Sequence, residues 1–345
     1  MPPTETPNTG ANDLLDADTP DTVRMSPAEA TELGMRAVMR TGYSTEDAKI
    51  IVDQMIENGL CGYRFASLPR ILAIANDVKT RNPRTPVKVV HETPLSALLD
   101  GGNNVGYVSV YHGTRLAIDK AKKSGIASVG VYNSYFSGRN AYFVEMMARE
   151  GLVGIHIASA SPRVLPIGGK RPALGTNPIC VGFPSDNGPV VFDMGTASMM
   201  VGEVMLAAHL GHQLPEGLGF DADGNASRDP NEVLKGGWVP FGGHRGYGLA
   251  FVGQALGLLA GAALTRGQVQ DYGFLLIAID PKLMLPGGEF TSQMAELVQK
   301  VKATPRRPGV DEIRIPSERA FRERERRRKE GLVFDRKVVE SLRAL

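Results

Sequence analysis

Apolar positions repeat with a helical period through the first ordered part of the chain. Ser26-Pro27-Ala28-Glu29 combines an N-cap serine, a proline for the first turn and a glutamate spaced to close a capping box. Ser44-Thr45-Glu46-Asp47 repeats the idea, and Ala48, Ile51, Val52, Met55 and Ile56 follow at helical spacing. Leu68 to Val78 forms a third predicted helix, stopped at Asn82-Pro83. From about residue 86 the pattern shortens. Val87–Val90 and Ser96–Leu99 are predicted strands, with Asp100-Gly101-Gly102-Asn103 as a turn. Strands are expected at 126–131, 153–158, 179–183, 190–193 and 274–279, and helices at 108–124, 139–149, 196–210 and 290–303. This alternation predicts an α/β fold.

The most apolar run, Gly248 to Leu264, is short for a membrane span, contains Gln254 and is rich in small residues, so it is predicted as a buried helix. Residues 1–23 contain four prolines, acidic residues and no Lys or Arg, which fits a disordered tail and not a signal peptide. The 345 residues carry 39 basic against 37 acidic side chains, so no global field argues for nucleic acid. Arg319–Lys329 is strongly charged, but its interspersed Glu323 and Glu325 suit i,i+4 pairing on a solvated helix face. The two cysteines, Cys61 and Cys180, stand far apart with no Cys/His cluster, and neither a disulfide framework nor a metal site is expected. These features predict a soluble cytoplasmic protein with neither nucleic-acid nor membrane partners.

Generic cofactor signatures are missing: there is no GxGxxG, GxxxxGK[ST] or GxSxG. Asp221-Ala222-Asp223-Gly224-Asn225 has its glycine at the wrong place for a calcium loop and is predicted as a turn. Three glycine-rich loops are more informative: Pro166 to Pro178, Asp193 to Ser198, and Gly242 to Gly248. The second and third each precede a predicted helix, where free N–H groups and the helix dipole favour an anion. His244 and Arg245 add positive charge. The same glycines could equally shape tight turns, but three such loops in one chain point to an anion-rich ligand.

Taken together, these segments resemble the malate/L-lactate dehydrogenase family of the second type, which also holds ureidoglycolate, sulfolactate and diketogulonate dehydrogenases and cyclic imino-acid reductases. The resemblance runs from about Met25 to Leu345. It is carried by Ser67-Leu68-Pro69-Arg70, Asn133-Ser134, Leu174-Gly175-Thr176-Asn177-Pro178, Asp193-Met194, Pro240 to Gly248, Ala278-Ile279-Asp280-Pro281 and Ile315-Pro316-Ser317-Glu318-Arg319. It implies a non-Rossmann mixed-sheet nucleotide domain (86–300) and a helical domain from both chain ends (24–85 and 301–345). It also implies a homodimer, a small-molecule substrate, and NADP or NAD as cofactor, with NADPH favoured. Nucleotide contacts carry over to Phe136, Ser137, Gly138, Arg139, Asn140, Met194, Gly195, Thr196, Gly243, His244, Glu318 and Arg319, and a substrate contact to Thr176.

The departures fall on the acid–base residues. Members typically show Ser-His-Gly, then an arginine, then Leu-Pro-Arg, and the histidine donates the proton. Here Gly62-Tyr63-Arg64 and Ser67 occupy those places, and Phe136 replaces a second histidine. Tyr63 is therefore the candidate acid, because a phenol is protonated at neutral pH and can donate to a developing oxyanion. Arg64 is a candidate for a substrate carboxylate, and Glu203 is a second catalytic candidate. Two functions follow: a reductase of a 2-oxo acid or cyclic imino acid, or a repurposed relative that binds a nucleotide or metabolite without ordinary hydride transfer, acting as a lyase, an isomerase or a non-catalytic partner.

Overall fold

The computed structural model describes residues 19–264 and 269–345, and the predicted tail lies outside the described residues as far as residue 18. The chain divides into two compact units, one from the N-terminal segment to Thr80 plus Glu318–Leu345, the other Arg81–Ser317. The second break thus falls at Ser317–Glu318, not near residue 300, because helix Glu289–Lys302 and the coil after it belong to the second unit.

The first unit holds helices Pro27–Arg40, Thr45–Leu60, Pro69–Asn76, Glu318–Glu330 and Arg336–Ala344. The capping box forms: Ser26 N donates to Glu29 Oε2 at 2.8 Å, and Glu29 N donates to Ser26 Oγ at 3.2 Å. Structure begins before Arg24. Strand Thr22–Met25 pairs antiparallel with Leu332–Asp335, and Arg336 N donates to Asp21 O at 2.8 Å. Gly34 lets the first two helices close, since a Cβ there would lie 2.8 Å from Leu68 and 3.0 Å from Val52. The charged helix is not simply a solvated face. Arg324 and Arg327 are buried, Arg327 Nη1 donating to Gly59 O at 3.0 Å and Arg324 meeting Glu57 at 3.4 Å. Both reach the C-terminal end of helix Thr45–Leu60, where unpaired carbonyls and the helix dipole favour cations.

The second unit is built on a seven-stranded mixed sheet in the order Lys88–Glu92, Ser96–Val105, Ile126–Tyr135, Phe274–Ile279, Val153–Ala158, Ile179–Phe183, Val190–Met194. Only the second and third of these run parallel. Helices Gly106–Ser124 and Ala141–Arg149 cover one face: a Cβ on Gly113 would lie 2.8 Å from Val131, and one on Gly154 would lie 2.7 Å from Met147. Helix His244–Leu259 lies on the other, where a Cβ on Gly130 would stand 3.1 Å from Ala260. A smaller core around Trp238 joins the hairpin Gly219–Phe220/Ala226–Ser227 to helices Val201–Leu210 and Pro230–Lys235.

Three expectations change. The Asp100–Asn103 turn is a bulge inside one long strand: Gly102 N donates to Asp100 Oδ1, Gly102 and Asn103 take positive φ, and pairing resumes at Asn104. The helix expected from Thr196 begins at Val201, because the preceding residues are held by neighbouring loops. The apolar helix starts four residues early, at His244, and is not fully buried: Phe251 is 61% and Leu259 72% exposed.

A polar row crosses the sheet. His156 pairs with Cys180, and Cys180 with Asp193. The His156 ring is fully buried, edge-on to Phe143 and stacked at 6.3 Å on Phe274. In the tautomer that protonates Nδ1, this nitrogen donates to Leu275 O at 3.0 Å. Burial pushes the imidazole down to about 4, against an ordinary value of about 6.5. The unfolded chain therefore binds a proton through the window from about 6.5 to about 4 that the folded chain refuses, so stability falls as pH drops through it. His156→Gln, which keeps a donor but cannot titrate, is expected to remove this dependence. In urea unfolding, wild type should lose about 2 kcal/mol more than the variant between roughly pH 7 and 5; equal losses would show that His156 does not carry it.

Candidate active site

In the second unit the three glycine-rich loops close on one another through backbone groups. Thr196 is the knot: its N and Oγ1 donate to Thr176 O at 2.9 and 3.1 Å, and its own carbonyl accepts from Phe241 N at 3.0 Å. Ser198 N donates to Val239 O at 3.0 Å. Asn177, at φ 29°, donates through Nδ2 to Ala250 O at 2.8 Å and to Gln254 Oε1 at 3.1 Å, so the first loop is fastened to helix His244–Leu259. No side chain could replace Gly175 or Gly246, whose Cβ positions collide with Ala160 O and Phe241 O. Between the loops lies a cavity of about 630 Å³, lined by Pro166–Lys170, Ser198 and Val239–Gly243 with Leu218 and Phe220. Its walls are largely apolar, with Lys170 and the buried Ser198 Oγ as polar groups, a composition suited to a flat organic ligand with a charged end.

Two helix N-termini in this unit differ in charge. At Ala141–Arg149 the end is occupied from within, because Ala141 N donates to Asp193 Oδ2 at 2.8 Å. The other carboxylate oxygen accepts from the Cys180 thiol at 2.9 Å. Burial first, then the Asp193 charge, push that thiol well above its usual range, so it stays a protonated donor. At His244–Leu259 the end is open. Gly243 caps it at φ 62° with no side chain, a Cβ on Gly242 or Gly243 would meet nothing within 4 Å, and His244 and Arg245 are exposed with no hydrogen-bond or ion-pair partner among the described residues. A phosphate at the first end would meet a carboxylate; at the second it would meet N–H groups and the Arg245 guanidinium. The donor set at the open end therefore fits a dinucleotide.

The other carried-over nucleotide positions of this unit sit around the first end. Phe136 takes φ 51° and packs edge-on against Tyr135, and Gly138, at φ 76°, would bring any Cβ to 2.7 Å from the Tyr107 ring. Ser137, Arg139 and Asn140 are buried, and Met194 and Gly195 run directly from Asp193 to Thr196. Glu203, exposed, accepts from Met200 N at 2.8 Å and so caps helix Val201–Leu210.

Tyr63, Arg64, Glu318 and Arg319 belong to the first unit. Helix Thr45–Leu60 ends at Cys61, Gly62 turns the chain at φ 89°, and Tyr63 N donates to Asn58 O at 2.9 Å. Arg64 opens the short turn Arg64–Ala66, pinned by Asn58 Nδ2 on Ala66 O at 3.1 Å. Tyr63 is 39% exposed, with the Arg319 guanidinium 5.7 Å from its ring centroid. Ser67 is wholly buried against Gly59, and its hydroxyl has no hydrogen-bond partner among the described residues. The sequence singles out Asp193 to Ser198 as a loop, but neither the Asp193 joint nor the Ser198 lining is legible in it.

The family model for malate/L-lactate dehydrogenase matches residues 25–343. The chain belongs to that family. It is 35% identical over 332 residues to a malate/(S)-sulfolactate dehydrogenase of Methanothermus fervidus, covering 93% of this chain and 96% of the relative. It is 37% identical over 246 residues to a Δ1-pyrroline-2-carboxylate/Δ1-piperideine-2-carboxylate reductase of Pseudomonas putida, covering 67% and 69%. Among solved structures, the sulfolactate dehydrogenase of Methanocaldococcus jannaschii superposes with a TM-score of 0.81 at 30% identity, covering 93% of this chain and 96% of that one. The family is one of oxidoreductases, and its members use nicotinamide cofactors. No helix among the described residues is long and apolar enough to cross a membrane.

Proposed function

We propose that this protein is an NAD(P)-dependent reductase of the C=O or C=N bond of a small 2-oxo acid or cyclic imino acid, with a non-Rossmann nucleotide domain. The observation that carries this reading is the closure of three glycine-rich loops around one cavity beside an open, cationic helix N-terminus. The bound dinucleotide would supply the hydride. Gly243 N–H, His244 and Arg245 would hold its phosphates, with Phe136–Asn140 and Met194–Thr196 as further contacts. Thr176 and Arg64 would contact the substrate, and Tyr63 would donate its phenolic proton to the developing alkoxide oxygen or amine nitrogen. The cap made by Glu203 leaves Tyr63 as the stronger acid candidate. The absence of both family histidines favours the repurposed relative as the second reading, which nucleotide binding without reduction would support.

Helix His244–Leu259 also bears on assembly. Phe251, Val252 and Leu259 project from it exposed, an apolar face that a second copy of the chain would cover in a homodimer.

Three outcomes are expected. NADPH should bind at micromolar or tighter affinity, and His244→Ala with Arg245→Ala should weaken it by about 1–3 kcal/mol by calorimetry; an unchanged double variant would remove the phosphates from this helix. Tyr63→Phe should lower reduction of the productive substrate about 10²-fold or more while sparing NADPH affinity, and full activity would move the acid elsewhere. Phe251→Asp should convert a dimer to monomer by light scattering, and a monomeric wild type would contradict the assembly.

A further inference from the structure

The helix Glu318–Glu330 carries a dense set of arginines, and most of them are matched by carboxylates. Arg324 meets Glu57 at 3.4 Å, Arg326 meets Glu323 at 2.8 Å, Arg327 meets Glu323 at 3.2 Å, and Arg328 meets Glu57 at 2.9 Å. Arg319, one turn earlier and half-buried, has no carboxylate partner among the described residues. Its guanidinium instead lies over the Tyr63 ring, 5.7 Å from the centroid, within cation–π range. Nη1 lies 3.3 Å from where a Cβ of Gly62 would stand, so the missing side chain at Gly62 makes room for the guanidinium beside Tyr63.

A half-buried guanidinium that stacks on a ring keeps its in-plane N–H donors for another acceptor, and its planar fork fits a carboxylate through two parallel bonds. The names of the relatives (malate, sulfolactate and pyrroline-2-carboxylate) all describe carboxylates. Ser67, at the place where the family's substrate arginine stands, is neutral and wholly buried. Arg70, three residues on, faces the Phe65 ring at 5.6 Å.

We propose that Arg319 binds the substrate carboxylate, presenting the neighbouring carbonyl oxygen or imine nitrogen to the Tyr63 hydroxyl, and is a substrate-specificity residue rather than a nucleotide contact. This deepens the reductase reading and rests on it for the identity of the ligand as a substrate.

The test uses the full chain with oxalate as the carboxylate probe and NADPH as the nucleotide, each titrated by calorimetry into wild type, Arg319→Ala and Arg319→Lys. Arg319→Ala is expected to weaken oxalate about 10- to 100-fold, Arg319→Lys to recover part of that loss, and NADPH affinity to stay the same. For any 2-oxo acid the wild type reduces, KM should rise with little change in kcat. A fall in NADPH affinity with oxalate binding intact would return Arg319 to the nucleotide, and a wild type that does not bind oxalate would overturn the proposal. Should oxalate binding depend on Arg319 while no 2-oxo acid or cyclic imino acid consumes NADPH, the reductase reading fails and the carboxylate site stands. Phenylglyoxal labelling of wild type, mapped by peptide mass, guards against misfolded variants: oxalate should protect Arg319, and unprotected labelling would count against the site.

Discussion

The Asp193 carboxylate joins the edge strand of the second unit to a helix that no strand ladder reaches. It ends the edge strand Val190–Met194, takes the Cys180 thiol proton donor with one oxygen and takes the first N–H of helix Ala141–Arg149 with the other. The loop before that helix, Phe136–Asn140, and the loop after the strand, Met194–Thr196, are therefore set by one side chain. Thr196 then passes the constraint on, binding the first glycine-rich loop through Thr176 and the third through Phe241. Buried backbone groups in loops of this kind must find partners or cost about 1–3 kcal/mol each, so the loops are held in one arrangement.

That arrangement separates two helix ends that look alike in sequence. Both follow a glycine-containing loop, and either could receive an anion on dipole grounds alone. The internal carboxylate at Ala141 uses the first, and Gly243, without a side chain, keeps the second open. The choice between them depends on a contact between residues 52 positions apart, which no local pattern reveals.

The regular elements were legible because they rest on local rules. Ser26 and Glu29 form the capping box that their spacing announced, and Phe274–Ile279 and Val153–Ala158 are strands as their apolar runs required. Misreadings occur where turn chemistry serves another purpose. Asp100–Asn103 has every residue of a turn, yet its side-chain bonds make a bulge, because Asn104 finds Thr85 O and Gly101 O and the strand continues. The arginine run reads as solvated by composition, but Arg324 and Arg327 are drawn inward by Glu57 and by the Gly59 carbonyl, partners more than 250 residues away. At the candidate site the glycine loops were readable, whereas the pairing of Tyr63 with Arg319 depends on the chain ends meeting.

The neighbourhood of Tyr63 ties three residues together. A histidine can accept and return a proton near neutral pH, so a site built on it can run in both directions. A phenol donates but seldom accepts at neutral pH, which favours reduction over oxidation. Arg319 lies over the ring, and Gly62 leaves it the space to do so. A serine at position 62 would add a side chain beside that guanidinium in a backbone conformation, φ 89°, that favours glycine. Glycine at 62, tyrosine at 63 and arginine at 319 thus form one physical unit, and a histidine placed at 63 alone would sit on a loop shaped for a different side chain.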